Sequence, residues 1–134
     1  MPDKAEEYFK ALEDNPWIDE FAGRWILDKD GLKDDSVVDM EINLIICDAE
    51  TKLNVIMGIL LKMTDGRHDN ILAAGMLENF LCDHGEEYLD VILEIAGKWP
   101  RFRSCLGMVW QNSMKDSVWD KISDFLGTGK SPVA

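Results

Sequence analysis

Four side chains in the second half of the chain are of types that binding and catalysis use: Glu78, His84, Arg101 and Arg103. A helix turns by about 100° per residue, which places Glu78 in the middle of an apolar face. A carboxylate there is costly unless it is paired, and the two arginines, His84 or an uncapped helix N-terminus are its candidate partners. The residues therefore predict a structural ion pair first, and as the alternative a cleft in which all four converge on a ligand or substrate.

The remaining motifs argue against the common catalytic and metal sites. The chain contains no glycine-flanked serine, no phosphate-binding or dinucleotide-binding glycine loop, and no two histidines at helical zinc spacing. The three cysteines are far apart, without a Cys-x-x-Cys pair. His84 precedes Gly85 at a predicted helix end, where an imidazolium interacts favourably with the helix dipole. We therefore predict no catalytic residue, no metal site and no cofactor.

Acidic side chains are concentrated at the beginning of the chain. The formal net charge is −12, and residues 1–50 hold 15 acidic against 5 basic side chains. Such a distribution attracts positively charged partners to one part of the molecule and raises their encounter rate. Solvation is the simplest explanation of the acidic residues, and the alternative is a docking surface for a basic partner protein. The residues of that hypothetical surface are Glu13, Asp14, Asp19, Glu20, Asp28, Asp30, Asp34 and Asp35.

The same composition excludes several classes of protein. Attraction to phosphates requires a basic surface, so direct nucleic-acid binding is not expected. The first residues are too acidic and polar for a signal peptide, and the longest apolar run, residues 55–61, is too short to cross a bilayer. The sequence thus predicts a cytoplasmic protein without a membrane partner.

Apolar residues recur with helical periodicity along the whole chain. Residues 37–47 are ambiguous, because every second residue from Val38 to Leu44 is apolar, as in a half-buried strand, whereas Val37, Met40 and Leu44 form a helical stripe. No other segment offers a strand partner, so we predict a helix. The predicted helices span residues 3–13, 15–28, 37–47, 52–63, 70–84, 86–99, 100–110 and 115–126.

Proline and glycine mark the ends of several of these helices. Asn15-Pro16 predicts an N-cap followed by proline at the first helical position, and Gly85 predicts the end of the helix that begins near residue 70. Gly75, inside that helix, predicts a close approach by another backbone, because glycine costs about 1 kcal/mol of helix propensity. The tryptophans occupy stripe positions and are expected in the core: Trp17, Trp25, Trp99, Trp110 and Trp119.

Short connections between the predicted helices indicate antiparallel neighbours and local contacts. We therefore predict an all-α fold of seven to eight antiparallel helices, arranged either as a compact bundle or as a short, degenerate helical-repeat stack. Residues 1–126 are expected to form a single helical domain, and residues 127–134 a flexible C-terminal tail.

Four short motifs follow one another between Leu72 and Trp110: Gly75-Met-Leu-Glu78, His84-Gly85, Pro100-Arg-Phe-Arg103 and Val109-Trp110. This pattern resembles a family of small, uncharacterised bacterial helical domains of unknown function, and it covers roughly a third of the chain. Such families commonly have proline after the first glycine, and Met76 in this chain predicts that a continuous helix replaces the turn. The resemblance implies an all-helical bacterial domain and carries no catalytic residue.

A small acidic chain without cofactor motifs fits two functional classes. We predict first an acidic protein-interaction module, such as an immunity protein, an antitoxin or a phage-type inhibitor, that binds a basic partner protein. The alternative is a small-ligand binder or enzyme that uses a cleft formed by Glu78, His84, Arg101 and Arg103.

Overall fold

The computed structural model describes residues 15–111 and 113–127. These residues contain six helices and no strand, so the predicted all-α class is confirmed. The helix predicted over residues 3–13 lies outside the described residues, as does the tail predicted over residues 127–134 except for its first residue. The helices are α1 (Pro16–Lys29), α2 (Asp35–Ile45), α3 (Ala49–Lys62), α4 (residues 69–98), α5 (Pro100–Leu106) and α6 (Asp116–Leu126).

The chain divides into two compact units between His68 and Asp69. The first unit contains α1 to α3, and the second unit contains α4 to α6. The single domain expected over residues 1–126 stays a prediction. In the described part of the chain, the length and hydropathy of the helices do not suffice for any of them to cross a bilayer.

α1 begins as the sequence predicts. Asn15 Oδ1 accepts hydrogen bonds from the backbone N–H groups of Trp17 at 3.1 Å and Ile18 at 3.3 Å. Pro16 occupies the first helical position, where its missing N–H group costs nothing. The helix packs against α3 and α2, and Gly31 follows it with a φ of 100°, a conformation that glycine adopts without strain.

The ambiguous segment is the helix α2, and the predicted secondary structure is confirmed. Its N-cap is Asp34, whose carboxylate accepts a hydrogen bond from the backbone N–H of Ser36 at 3.0 Å. α2 buries Val37 and Leu44. The following helix, α3, is buried on all sides over residues 55–60, which is typical of a helix at the centre of a core.

A single helix, α4, replaces the two helices predicted on either side of Gly85. It begins with Asp69–Leu72, widens into a π-helical turn over Ala73–Leu77 and continues as Glu78–Lys98. The predicted helix end at Gly85 is wrong, because Gly85 is buried inside the helix and a Cβ there would lie 3.0 Å from Val118 Cγ1. Glycine at this position allows α6 to approach α4 closely.

Gly75 lies in the π-helical turn of α4 and has no such neighbour. A Cβ at this position would meet no atom within 4 Å, so the close approach predicted there is wrong. Met76 follows within the same continuous helix, as its replacement of a proline predicts. The joined helix and the segment over residues 3–13 account for the difference between the eight segments predicted as helices and the six described.

The helix that begins at Pro100 is shorter than predicted. α5 ends at Leu106, where the low helix propensity of Gly107 favours a turn, and residues 109–111 are not helical. Trp110 therefore lies outside any helical stripe and is 50% exposed, so its prediction as a core residue is wrong. Two of the other tryptophans, Trp25 and Trp119, are buried as predicted.

Candidate functional site

Several carboxylates of the predicted acidic surface lie beside a cation of the same unit. Asp19 Oδ1 is 2.9 Å from Lys62 Nζ, and Glu20 Oε1 is 2.7 Å from Arg24 Nη2. Exposed pairs of this kind contribute little to stability, but each cation offsets a charge that a basic partner would otherwise meet. Two members of the predicted surface lie outside the described residues: Glu13 and Asp14.

Asp28 and Asp34 take part in the connection between α1 and α2. Asp28 Oδ1 accepts a hydrogen bond from the backbone N–H of Asp34 at 3.0 Å, and Asp34 in turn caps α2 through Ser36. The backbone N–H of Asp34 lowers the pKa of Asp28, and the hydroxyl and N–H groups of Ser36 lower the pKa of Asp34. Both carboxylates therefore already accept hydrogen bonds that stabilise the connection between α1 and α2.

Asp30 has the most charged contacts of the predicted acidic surface. Its two carboxylate oxygens are each 2.9 Å from a nitrogen of the Arg67 guanidinium, and His68 Nε2 is 2.5 Å from Oδ1. The Arg67 hydrogen bonds, followed by that of His68, hold the pKa of Asp30 well below its usual range. The rings of Trp25 and His68 form a T-shaped pair with centroids 6.4 Å apart. Asp30 therefore connects the end of α1 to the segment after α3.

Asp35 differs from these residues because it makes no ion pair within the described part of the chain. Asp39, one helical turn later, is also exposed and makes none there. On the same side α2 exposes Ile45 at 71%, Val38 at 60% and Ile42 at 57%, and its C-cap residue Ile46 is 84% exposed. We define the outer face of α2 as Asp35, Val38, Asp39, Ile42, Ile45 and Ile46.

The acidic surface predicted from the sequence did not include the aliphatic residues of this face, although the sequence contains a signal for them. The stripe of Val37, Met40 and Leu44 accounts for one side of α2, but several residues left over from it are aliphatic rather than polar. Those same residues produce the strand-like alternation from Val38 to Leu44. A helix whose second apolar side stays exposed in this way presents a candidate interaction surface.

The predicted cleft residues of the second unit have different surroundings. His84 lines a cavity of about 170 Å³, and the other three residues of the predicted cleft do not line it. The His84 ring packs against the rings of Phe80 and Tyr88, with centroid distances of 5.4 and 6.4 Å. Two aromatic rings therefore contact His84, which also borders the charged side chains that line the cavity.

Each of the two arginines of the predicted cleft contacts a residue outside that cleft. Arg101 Nη2 donates to Asp69 Oδ1 at 3.0 Å, and the Arg103 guanidinium lies 4.8 Å from the centroid of the Phe125 ring. Glu78 is buried, as its place on an apolar helix face indicates. Its pairing with either arginine stays a prediction.

Two cysteines of the second unit lack the environment of a nucleophile. Burial raises the pKa of the Cys105 thiol to about 12. Burial, followed by the nearby Glu78 carboxylate, also raises the pKa of Cys82 above its ordinary value of 9.0. Both side chains are therefore thiols at neutral pH, whereas catalytic cysteines react as thiolates.

The described structure defines an all-α protein with an exposed, partly acidic aliphatic face on α2. Residues 33–128 match a family of unknown function (DUF6869), and the chain belongs to that family. The matched region includes every helix from α2 to α6, and therefore the whole outer face. No curated protein and no solved structure matches the chain.

Proposed function

We propose that this protein is an acidic interaction module that binds a basic partner protein through α2. The observation that supports the proposal is the charge of this helix, which holds Asp35, Asp39 and Glu41 and no basic residue. Two of these carboxylates are exposed and make no ion pair within the described residues. Unpaired carboxylates of this kind steer and orient a cationic partner.

Other exposed carboxylates are less suited to this role. Asp120 and Asp124 on α6 are exposed at the same four-residue spacing, but their helix also holds the exposed cation Lys121. Asp19 and Glu20 on α1 lie within 3 Å of basic side chains. A partner that approached Asp19 or Glu20 would have to displace a cation already present.

An immunity protein, an antitoxin or a phage-type inhibitor is the narrower form of this proposal. In this form the acidic protein would cover a basic surface of a toxin or nuclease. The partner would then carry a cluster of lysines and arginines at its own functional surface. A toxin encoded beside this protein would be the first partner to test.

The proposal is tested by affinity capture from cells that produce the protein, followed by binding measurements with the purified captured protein. We expect a captured partner with a basic surface, whose affinity falls at least tenfold between about 50 and 300 mM salt, because the interaction is screened. Asp35→Asn combined with Asp39→Asn should weaken the complex about tenfold. Asp120→Asn combined with Asp124→Asn, the matched control, should change the affinity less than twofold.

The choice of residues in this experiment follows from the structure. Asp34 is left intact because its carboxylate caps α2, so that its removal would alter the helix as well as the charge. Binding that is indifferent both to salt and to the loss of Asp35 and Asp39 would contradict the proposed function.

A further inference from the structure

The helix α2 has two apolar sides, one buried in the core and the other exposed. Successive residues of a helix are about 100° apart, so Val38, Ile42, Ile45 and Ile46 fall within an arc of about 100°. Val37 and Leu44 point to the opposite side and are buried. The exposed arc is continuous along the helix rather than a scatter of single apolar residues, and such patches mark interaction surfaces.

The spacing of the exposed residues indicates the shape of the occupant. Val38, Ile42 and Ile45 follow one another at four and three residues, which is the spacing of a seam between two packed helices. The helix α2 has 11 residues and is about 16 Å long at 1.5 Å per residue, and the seam from Val38 to Ile45 takes up about 11 Å of that length. A partner helix of three to four turns would cover it.

Carboxylates lie inside and along both edges of this seam. On the same helical projection, Asp35 falls within the aliphatic arc and Asp39 at one edge of it. Glu41 falls on the other edge, where Lys29 Nζ is 3.7 Å from its carboxylate. A helix that packs its apolar side on this seam would therefore bring its flanking side chains next to carboxylates, which favours lysine and arginine at those positions.

The same charges disfavour the other possible occupants. A second copy of the chain would place the carboxylates of two α2 helices against each other, and like charges in contact are unfavourable. An anionic membrane surface would be repelled in the same way. Residues 1–14 of this chain contain five acidic and two basic side chains, so that segment also lacks the complementary charge.

We propose that the outer face of α2 is the docking site for a cationic amphipathic α-helix of the partner protein. The inference rests on the proposed function and adds the shape of the partner's binding element. Apolar side chains of that helix pack on Val38, Ile42 and Ile45, while its lysines and arginines pair with Asp35 and Asp39. The aliphatic seam supplies most of the affinity, and the carboxylates supply the orientation and the association rate.

The direct test is the binding of a fluorescently labelled synthetic peptide to the full chain. The peptide has 16 residues by design, with leucine at every third and fourth position and lysine or arginine on both flanks of the leucine stripe. Binding is followed by fluorescence anisotropy. The first control peptide has the same composition in scrambled order. The second keeps the leucines and has glutamate in place of the basic residues.

We expect the cationic amphipathic peptide to bind and both control peptides to bind at least tenfold more weakly. Ile42→Ser combined with Ile45→Ser should lower the affinity at least tenfold. Ile71→Ser, which alters an isoleucine of the second unit that is 41% exposed, should change the affinity less than twofold. Circular dichroism of each variant verifies that its helices are retained.

The charge variants separate this inference from the proposed function. If Asp35→Asn with Asp39→Asn weakens binding of the natural partner while the Ile42 and Ile45 variant does not, the helix-docking inference is overturned and the acidic module survives. If neither variant changes that binding, both proposals are overturned. A concentration-dependent dimer of the unmodified chain that the isoleucine substitutions abolish would also overturn the inference, because a second copy would then be the occupant.

Discussion

Asp30 and Asp35 lie five positions apart and illustrate how little residue type alone says about a carboxylate. Asp30 is held between Arg67 and His68, whereas Asp35 faces solvent without an ion pair in the described part of the chain. Both were candidates for the same acidic surface. The difference arises because Asp30 contacts Arg67 and His68, which lie more than thirty positions later in the sequence. No local sequence pattern reveals such contacts.

The contacts of Asp30 predict how stability depends on pH. Its pKa is lowered in the folded protein from an ordinary value of 3.8, so the ionised form is favoured by folding. The stabilisation is fully present above about pH 5 and is lost as the pH falls through the ordinary pKa toward the lowered pKa of the folded protein. We therefore expect Asp30→Asn to lower the free energy of unfolding at pH 7, and the difference from the unmodified chain to shrink below about pH 5.

This prediction is checked by urea denaturation of both proteins at a series of pH values. Asp39→Asn is the control, because Asp39 makes no ion pair within the described residues and its loss should leave stability nearly unchanged at neutral pH. A constant difference between the unmodified chain and the Asp30 variant from pH 7 to pH 2.5 would show that the carboxylate charge does not stabilise the fold.

At the scale of the helices, periodicity predicts the class of structure and several boundaries. Asn15 and Pro16 begin α1 as expected, since capping depends on adjacent residues. The prediction that a helix ends at Gly85 is wrong, because glycine occurs both at helix ends and inside helices. Glycine can end a helix through a positive φ, or it can remain in the helix where a neighbour such as Val118 leaves no space for a Cβ.

The candidate site shows the same limit of sequence reasoning. The acidic character of residues 34–41 is visible in the sequence, and so is the excess of aliphatic residues in that segment. Which of two apolar sides of α2 faces the core depends on α1 and on packing across the first unit. The sequence therefore predicts the composition of the outer face but not its exposure.

Two adjacent valines test the orientation of α2. Val37 is fully buried and Val38 is 60% exposed, so identical substitutions meet opposite environments. We expect Val37→Ala to lower the free energy of unfolding by about 2 kcal/mol, through lost burial and a residual cavity. Val38→Ala should change it by about 0.5 kcal/mol or less, as at other surface positions.

The measurement for both variants is chemical denaturation followed by far-ultraviolet circular dichroism. The two substitutions remove the same atoms and have the same effect on helix propensity, so the difference between them reports burial alone. Equal destabilisation by the two substitutions would contradict the assignment of an inner and an outer side to α2.

The net charge of −12 of the whole molecule comes from carboxylates in different surroundings, some beside a basic side chain and others not. Basic side chains offset the charge of Asp19, Glu20 and Asp30, and other carboxylates cap helices. The carboxylates of α2 lie beside aliphatic side chains and without a basic residue on the same helix. The charge thus supports a specific partner at one helix better than a general attraction to cations.

Nuclear magnetic resonance can test directly whether a ligand binds at the outer face of α2. Isotopically labelled protein is titrated with the unlabelled cationic amphipathic peptide while backbone amide signals are followed. We expect the largest changes in the amide signals of Val38, Ile42, Ile45 and Ile46. Changes concentrated instead around the cavity that His84 lines, or signals unchanged by saturating peptide, would contradict this prediction.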